Sequence, residues 1–215
     1  LSLMDDDRNR RDISIRAQVL PPADYVAHVI SNRETSGFDF MGEEDTSPFD
    51  LITRRYPAIC IFKPFNTCPQ ICVYCQRNWE IDDAMAPQAF AGMQQVDAAI
   101  EWVKEHPTIH EVLITGGDPL AMGDVTISNI LAKIADIPTV DRIRIGTRIP
   151  VTMPMRITAD LADILAQFRE IGRREVAITT HIQTPYEITP ELVKSVDRLR
   201  VRGLPVYNQL VYTYF

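Results

Sequence analysis

Three of the four cysteines in the chain fall within eight residues, Cys68-Pro-Gln-Ile-Cys72-Val-Tyr-Cys75. Their number says more than their spacing. A structural zinc site takes four ligands, usually from paired C-x2-C hooks, and a dithiol redox site takes two. Three thiolates suit an iron–sulfur cubane in which three irons are bound by the protein and the fourth is open. An open metal position is where substrate chemistry enters. Two alternatives stand beside this reading: a zinc site completed by a distant histidine, and cysteines packed in a core. The fourth cysteine, Cys60, lies inside the apolar run Ala58-Ile59-Cys60-Ile61-Phe62 and reads as a core thiol.

Two further features have ligand chemistry. Gly116-Gly117-Asp118-Pro119 ends an apolar run with two residues that let backbone approach a ligand closely, followed by an acid able to accept from an ammonium group. His181 follows another β-branched run and reads either as a ligand-facing imidazole or as a hydrogen-bonded interior histidine. The other histidines, His28, His106 and His110, read as structural or exposed.

These residues need elements to hold them, and from residue 58 onward the elements are legible. Strands are expected over 58–62, 112–115, 142–146, 176–180 and 206–211. Between them run helical stripes. Phe90, Met93, Val96, Ile100 and Val103 form the first, with Pro87 as its start and His106-Pro107 as its end. Ile127, Ile130, Leu131 and Ile134 form the second. Leu161, Ile164, Leu165 and Phe168 form the third, opened by Thr158 and stopped by Gly172. Leu192, Val193, Val196 and Leu199 form the fourth, opened by Thr189-Pro190-Glu191 and closed by Gly203. Strand then helix, repeated, predicts an α/β fold with a parallel sheet. The cysteines, the Gly-Gly-Asp-Pro turn and His181 all fall at the C-terminal ends of strands. That end is the catalytic face of a (β/α) barrel, and a doubly wound open sheet uses the same end. The pattern stops after a fifth strand, which predicts a partial (β/α) barrel truncated at its C-terminus, with residues 51–215 as its core. Residues 1–50 are polar and irregular and read as an N-terminal arm or the remnant of a helical subdomain.

Composition narrows the partners. The formal charge is −7, from 22 basic and 29 acidic residues, so phosphate-backbone binding is disfavoured and nucleic acid is not expected. No apolar run approaches 18 residues, so a membrane span is not expected. The opening residues lack the order of a secretory signal and lack an initiator Met, so the chain reads as a fragment. Clustered cysteines in such a chain point to metal binding in a reducing cytoplasm.

The C-x3-C-x2-C spacing, with Tyr74 before the last cysteine, resembles the radical S-adenosylmethionine (SAM) superfamily. The resemblance implies a 4Fe–4S cluster on Cys68, Cys72 and Cys75. SAM would chelate the open iron and yield a 5′-deoxyadenosyl radical on one-electron cleavage. Gly116-Gly117-Asp118 then resembles the Gly-Gly-Glu-like turn that binds the SAM amino group. A closer resemblance is to lysine 2,3-aminomutase. It is carried by Arg55-Tyr56-Pro57, the cysteine loop with Arg77, Ile114 to Asp118, Arg144 to Val151, Arg156-Ile157-Thr158, His181 through Thr189, and Asn208-Gln209, in that order over about residues 45 to 210.

This closer resemblance implies an aminomutase that uses SAM as radical initiator and pyridoxal phosphate (PLP) as radical carrier, moving an amino group from C2 to C3 of an amino acid. By motif, Tyr74 would contact adenine, and Gly116, Gly117 and Asp118 would hold the methionyl amino group. Gln209 and His181 would line the SAM pocket, and Arg55 and Tyr56 would seat PLP. Arg77 would pair with the substrate carboxylate, a task suited to a guanidinium fork. For Arg55 and for Arg148, a solvated charged partner is an equal reading. The implied partners are an amino acid and a low-potential electron donor; a homo-oligomer is left open. The run Gln76-Arg77-Asn78-Trp79 lacks the family's second arginine, and Ile182-Gln183-Thr184-Pro185 lacks its Asn-His-Pro. Thr147 stands where serine is common. The PLP lysine is expected beyond Phe215, since neither Lys63 nor Lys104 sits in a matching motif. The alternatives are a radical SAM enzyme acting without PLP, and a zinc- or cluster-binding interaction module.

Overall fold

The protein is described from a computed structural model, which covers residues 3–5, 8–32, 39, 41–81 and 83–212. Two helices, α1 (Arg10–Arg16) and α2 (Ala23–Asn32), precede a six-stranded sheet. Its strands are β1 (Ile52–Tyr56), β2 (Ile59–Phe65), β3 (Glu111–Gly116), β4 (Arg142–Gly146), β5 (Glu175–Thr180) and β6 (Val206–Asn208). They lie side by side in chain order, β1 antiparallel to β2 and all later pairs parallel. The connections carry α3 (Met93–Lys104), α4 (Asp124–Ala135), the short α5 (Ile149–Thr152), α6 (Ala159–Ala166) and α7 (Pro190–Arg200). No strand order reverses, so there is no switch point of the doubly wound kind. Right-handed crossovers that always step the same way put the crossover helices α3, α4, α6 and α7 on one side of the sheet. The result is the partial (β/α) barrel expected from the sequence, with its sheet not closed.

Strand register shows how the core is built. Cys60, Val112, Ile143 and Val176 form one cross-strand row, and Phe62, Ile114, Ile145 and Ile178 form the next; all are buried. These rows meet Val96, Ile100, Ile130, Ile134, Leu161 and Leu165 from the helices in one cluster. The alternate row, Ile59, Glu111, Arg142 and Glu175, points the other way. There Glu111 takes Arg142 and Arg144, and Arg142 reaches Glu175. The helix-facing side is therefore apolar and the other side is charged.

Helix boundaries follow local chemistry. Thr158 and Thr189 cap α6 and α7 through their hydroxyls, and Pro190 occupies the first turn of α7. Two expectations shift. α3 begins at Met93 rather than near Pro87, because the chain at 89–91 pairs with the end of β2: Asn66 N donates to Ala89 O and Ala91 N to Pro64 O. α6 ends at Ala166, short of Gly172, because Glu170 and Arg174 form an antiparallel bridge across the glycine turn. Before β1, Asp12 and Ile15 of α1 are buried. Among the described residues no helix is long and apolar enough to cross a membrane.

Candidate active site

The C-terminal rim of the parallel strands gathers most of the residues with ligand chemistry. The cysteine loop leaves β2, the Gly116-Gly117-Asp118 turn leaves β3, Arg148 follows β4, His181 follows β5 and Gln209 follows β6. The loop is tied to β3 by the glycine pair. Gly117 N donates to Phe65 O at 2.6 Å, and Asp118 N donates to Thr67 O at 2.8 Å. A Cβ on Gly116, whose φ is +112°, would lie 2.6 Å from Phe65 O, and one on Gly117 would collide with the backbone of Thr67. The close approach that needs these glycines is thus to the chain entering the cysteine loop. Thr67, fully buried, continues the stitch by donating to Asp83 O and accepting from Ala86 N.

The Asp118 side chain also turns into the protein. It accepts from Thr147 Oγ1 at 2.6 Å, Arg148 N at 2.7 Å and Leu120 N at 3.2 Å. Burial pushes its carboxyl up to about 6, against the lowering effect of these donors. The acid expected to meet an ammonium therefore has both oxygens engaged in joining the β3 turn to the end of β4.

Arg148 is the centre of the rim. It is 8% exposed, and its guanidinium reaches four groups from distant parts of the chain. Nη1 donates to Cys72 Sγ at 3.0 Å, Nε to His181 O at 3.3 Å, and Nη2 to Glu187 Oε1 at 2.5 Å and to Gln18 Oε1. It also lies 5.5 Å from the centre of the Tyr74 ring. Gln18 holds the loop as well, since Val73 N donates to Gln18 O at 2.8 Å. The His181 ring is 6.5 Å from that of Tyr74, and burial lowers its pKa, with Arg148 adding to the effect. Tyr74 Oη, His181 Nδ1 and Thr179 Oγ1 are buried with no hydrogen-bond partner among the described residues. Buried polar atoms normally have partners, so this set fits a polar ligand.

The three thiols are half-buried. Burial pushes Cys68 up to about 12 and raises Cys75, so each would deprotonate in exchange for a metal. Among the described residues no three His, Cys, Asp or Glu side chains converge as ligands of one ion; a cubane takes one thiolate on each of three irons. Cys60, in the apolar row of β2, is fully buried and likewise pushed up to about 12.

Arg77 stands on the other side of the loop. Its Nη1 meets Glu43 Oε2 at 2.5 Å and its Nη2 meets Glu80. Glu43 also accepts from Lys63 at 3.4 Å and Gln76 at 2.9 Å. Arg55 and Tyr56 are not brought to this rim. β1 runs antiparallel to β2, and Tyr56 pairs with Ile59 at the start of β2. They thus lie about 20 Å from the cysteine end, at roughly 3.3 Å per strand residue. Tyr56 is 66% exposed, and Arg55 donates to Met41 O at 2.6 Å. At that position they do not fit a cofactor shared with the cysteine rim.

Several residues of this site escaped the sequence reading. Glu187 carried a signal, since Thr184 and Glu187 form a capping box that the structure contains. Arg148 stood within the run Arg144 to Val151, with a solvated ion-pair partner as an equal reading, and the structure buries it. Gln18 and Glu43 had no local signal.

This arrangement, a cysteine loop after the first parallel strand with ligand-facing groups on the same rim, defines a radical SAM core. The chain belongs to the Radical SAM superfamily, whose family model matches residues 62–212. It is 48% identical over 203 residues to an uncharacterized KamA family protein of Methanocaldococcus jannaschii, covering 94% of this chain and 32% of that one. It is 38% identical over 184 residues to glutamate 2,3-aminomutase of Clostridioides difficile (86% and 42%). It is 35% identical over 212 residues to L-lysine 2,3-aminomutase of Bacillus subtilis (98% and 42%). The chain therefore spans between about a third and a half of the length of these curated relatives. The superfamily implies a 4Fe–4S cluster and SAM.

Proposed function

We propose that this chain is the SAM-cleaving core of an amino-acid 2,3-aminomutase, working in the reducing cytoplasm with a low-potential electron donor. The observation that carries the reading is the shared rim of the three thiols, the glycine turn, Tyr74, His181 and Arg148, in a chain whose relatives include lysine and glutamate aminomutases. Cys68, Cys72 and Cys75 would each hold one iron. When bound, the cluster and SAM supply the electron and the hydrogen-abstracting radical that start the reaction.

The chain's own residues orient and enclose. The Tyr74 face takes the adenine, and the Gly116 and Gly117 backbone meets the methionyl ammonium. Asp118 fixes that turn rather than the ammonium itself, and His181 and Gln209 border the same space. Arg77 takes the substrate carboxylate in place of one of its present partners, Glu43 or Glu80. Among the described residues, Arg55 and Tyr56 stand away from this rim and do not fit PLP there.

Full-length anaerobic protein supplied with SAM, dithionite, PLP and either lysine or glutamate should form 5′-deoxyadenosine and the corresponding β-amino acid, read by mass spectrometry. Formation of 5′-deoxyadenosine without a β-amino acid overturns the aminomutase reading. It would favour a radical SAM enzyme acting without PLP, which the position of Arg55 and Tyr56 away from the rim also supports.

A further inference from the structure

One buried charge on the rim has no role in the reading above. Arg148 is desolvated and held from several directions at once: by Gln18 beyond α1, by the His181 carbonyl beyond β5, and by Glu187, while its own backbone N–H is fixed by Asp118. Glu187 is itself 4% exposed and pinned, since its Oε2 accepts from Gln183 N at 2.7 Å and Thr184 N at 3.2 Å. Gathering these groups costs desolvation that a surface ion pair avoids. The orientation they produce aims Nη1 at Cys72 Sγ, 3.0 Å away. The N-terminal chain contributes directly through Gln18, which holds both the loop backbone at Val73 and the guanidinium.

We propose that Arg148 is a positioning residue that sets the reduction potential of the cluster through its hydrogen bond to Cys72 Sγ, with Glu187 as its counter-charge. The inference rests on the reading of Cys68, Cys72 and Cys75 as iron ligands. Iron–sulfur potentials respond to net charge and to hydrogen bonds on the sulfurs. The reduced cluster carries one more electron, so a charged donor on a ligating sulfur favours the reduced form. Removing the donor should make the potential more negative. Removing only the counter-charge should leave the donor in place, increase the local positive charge and move the potential the other way.

The test is an EPR-monitored redox titration, with iron analysis, of the full-length reconstituted wild type, Arg148→Gln and Glu187→Gln. Arg148→Gln should retain its iron and show about a tenfold less favourable reduction equilibrium, a shift of about 59 mV for one electron. Glu187→Gln, which keeps an acceptor for Gln183 and Thr184, should shift in the positive direction. Opposite signs separate this role from a merely structural one, which would move neither or both together. Full iron with an unchanged potential in Arg148→Gln overturns the proposal. Should that variant assemble no cluster, Glu187→Gln decides: a positive shift supports the proposal, and no shift or a negative one overturns it. A wild type without any iron–sulfur signal overturns the ligand reading on which the inference stands.

Discussion

Two arginines flank the cysteine loop, Arg148 buried and Arg77 half-buried, and what packs around them makes them different instruments. Arg77 sits between Glu43 and Glu80, with Lys63 on the far side of Glu43, so its charge is balanced by carboxylates on both sides. Arg148 has one carboxylate, Glu187, and spends its remaining donors on a carbonyl, an amide and the Cys72 sulfur. The first ties the loop to the segment before β1 and has to exchange a partner before it can take a carboxylate from outside. The second is fixed in place with a donor on a thiol. The same side chain is a neutralised strut on one side and a sulfur-facing donor on the other, and only the neighbours supplied by distant chain segments distinguish them.

The strongest way to break this contrast is to remove the acceptor. Cys72→Ala should abolish cluster assembly in anaerobically reconstituted protein, because two thiolates cannot replace three; unchanged iron content and cluster absorbance would sink the ligand assignment. Arg77→Ala tests the other side. It strands Glu43 and Glu80, whose side chains are 11% and 21% exposed, and should cost about 3 kcal/mol in urea denaturation. It should also weaken amino-acid binding while sparing SAM cleavage. Wild-type stability would mean that Lys63 and Gln76 already satisfy Glu43.

A smaller effect concerns Asp118, which fixes the Arg148 backbone. Its carboxyl lies at about 6 in the folded protein against an ordinary 3.8, so the native state binds this proton more tightly than the unfolded chain. Its contribution is present below about pH 4 and lost as pH rises through about 6, on the order of 3 kcal/mol in all. Asp118→Asn should flatten that part of the stability–pH curve. An unchanged slope between about pH 4 and 6, measured by urea denaturation across that range, would show that the three donors hold the carboxylate ionised throughout.

The sheet and its helices were legible because their signals are local. Strand β4 matches the run expected at 142–146, and Thr158 and Thr189 cap the helices they were expected to open. Where boundaries moved, as at α3, a contact remote in sequence took the backbone: residues 89–91 pair with the end of β2. β1 was not anticipated, since an edge strand exposed at Arg55 and Tyr56 lacks the alternation that marks a half-buried one. The helices α1 and α2 fall in the polar stretch read as an arm or the remnant of a helical subdomain, and their bounds were not drawn from it.

From residue 58 onward the sequence by itself determined the order of the main strands and helices, and it put the three thiols, the glycine pair and His181 at strand ends, because periodicity and turn chemistry act over a few residues. Only the tertiary structure decided what those groups face. It turned Asp118 inward, engaged Arg77 with two acids, set Arg55 and Tyr56 on the opposite rim and brought Gln18 to Arg148 across 130 residues of chain. Such contacts leave no periodic trace, since they depend on where the sheet carries each strand end and on which charges burial forces together.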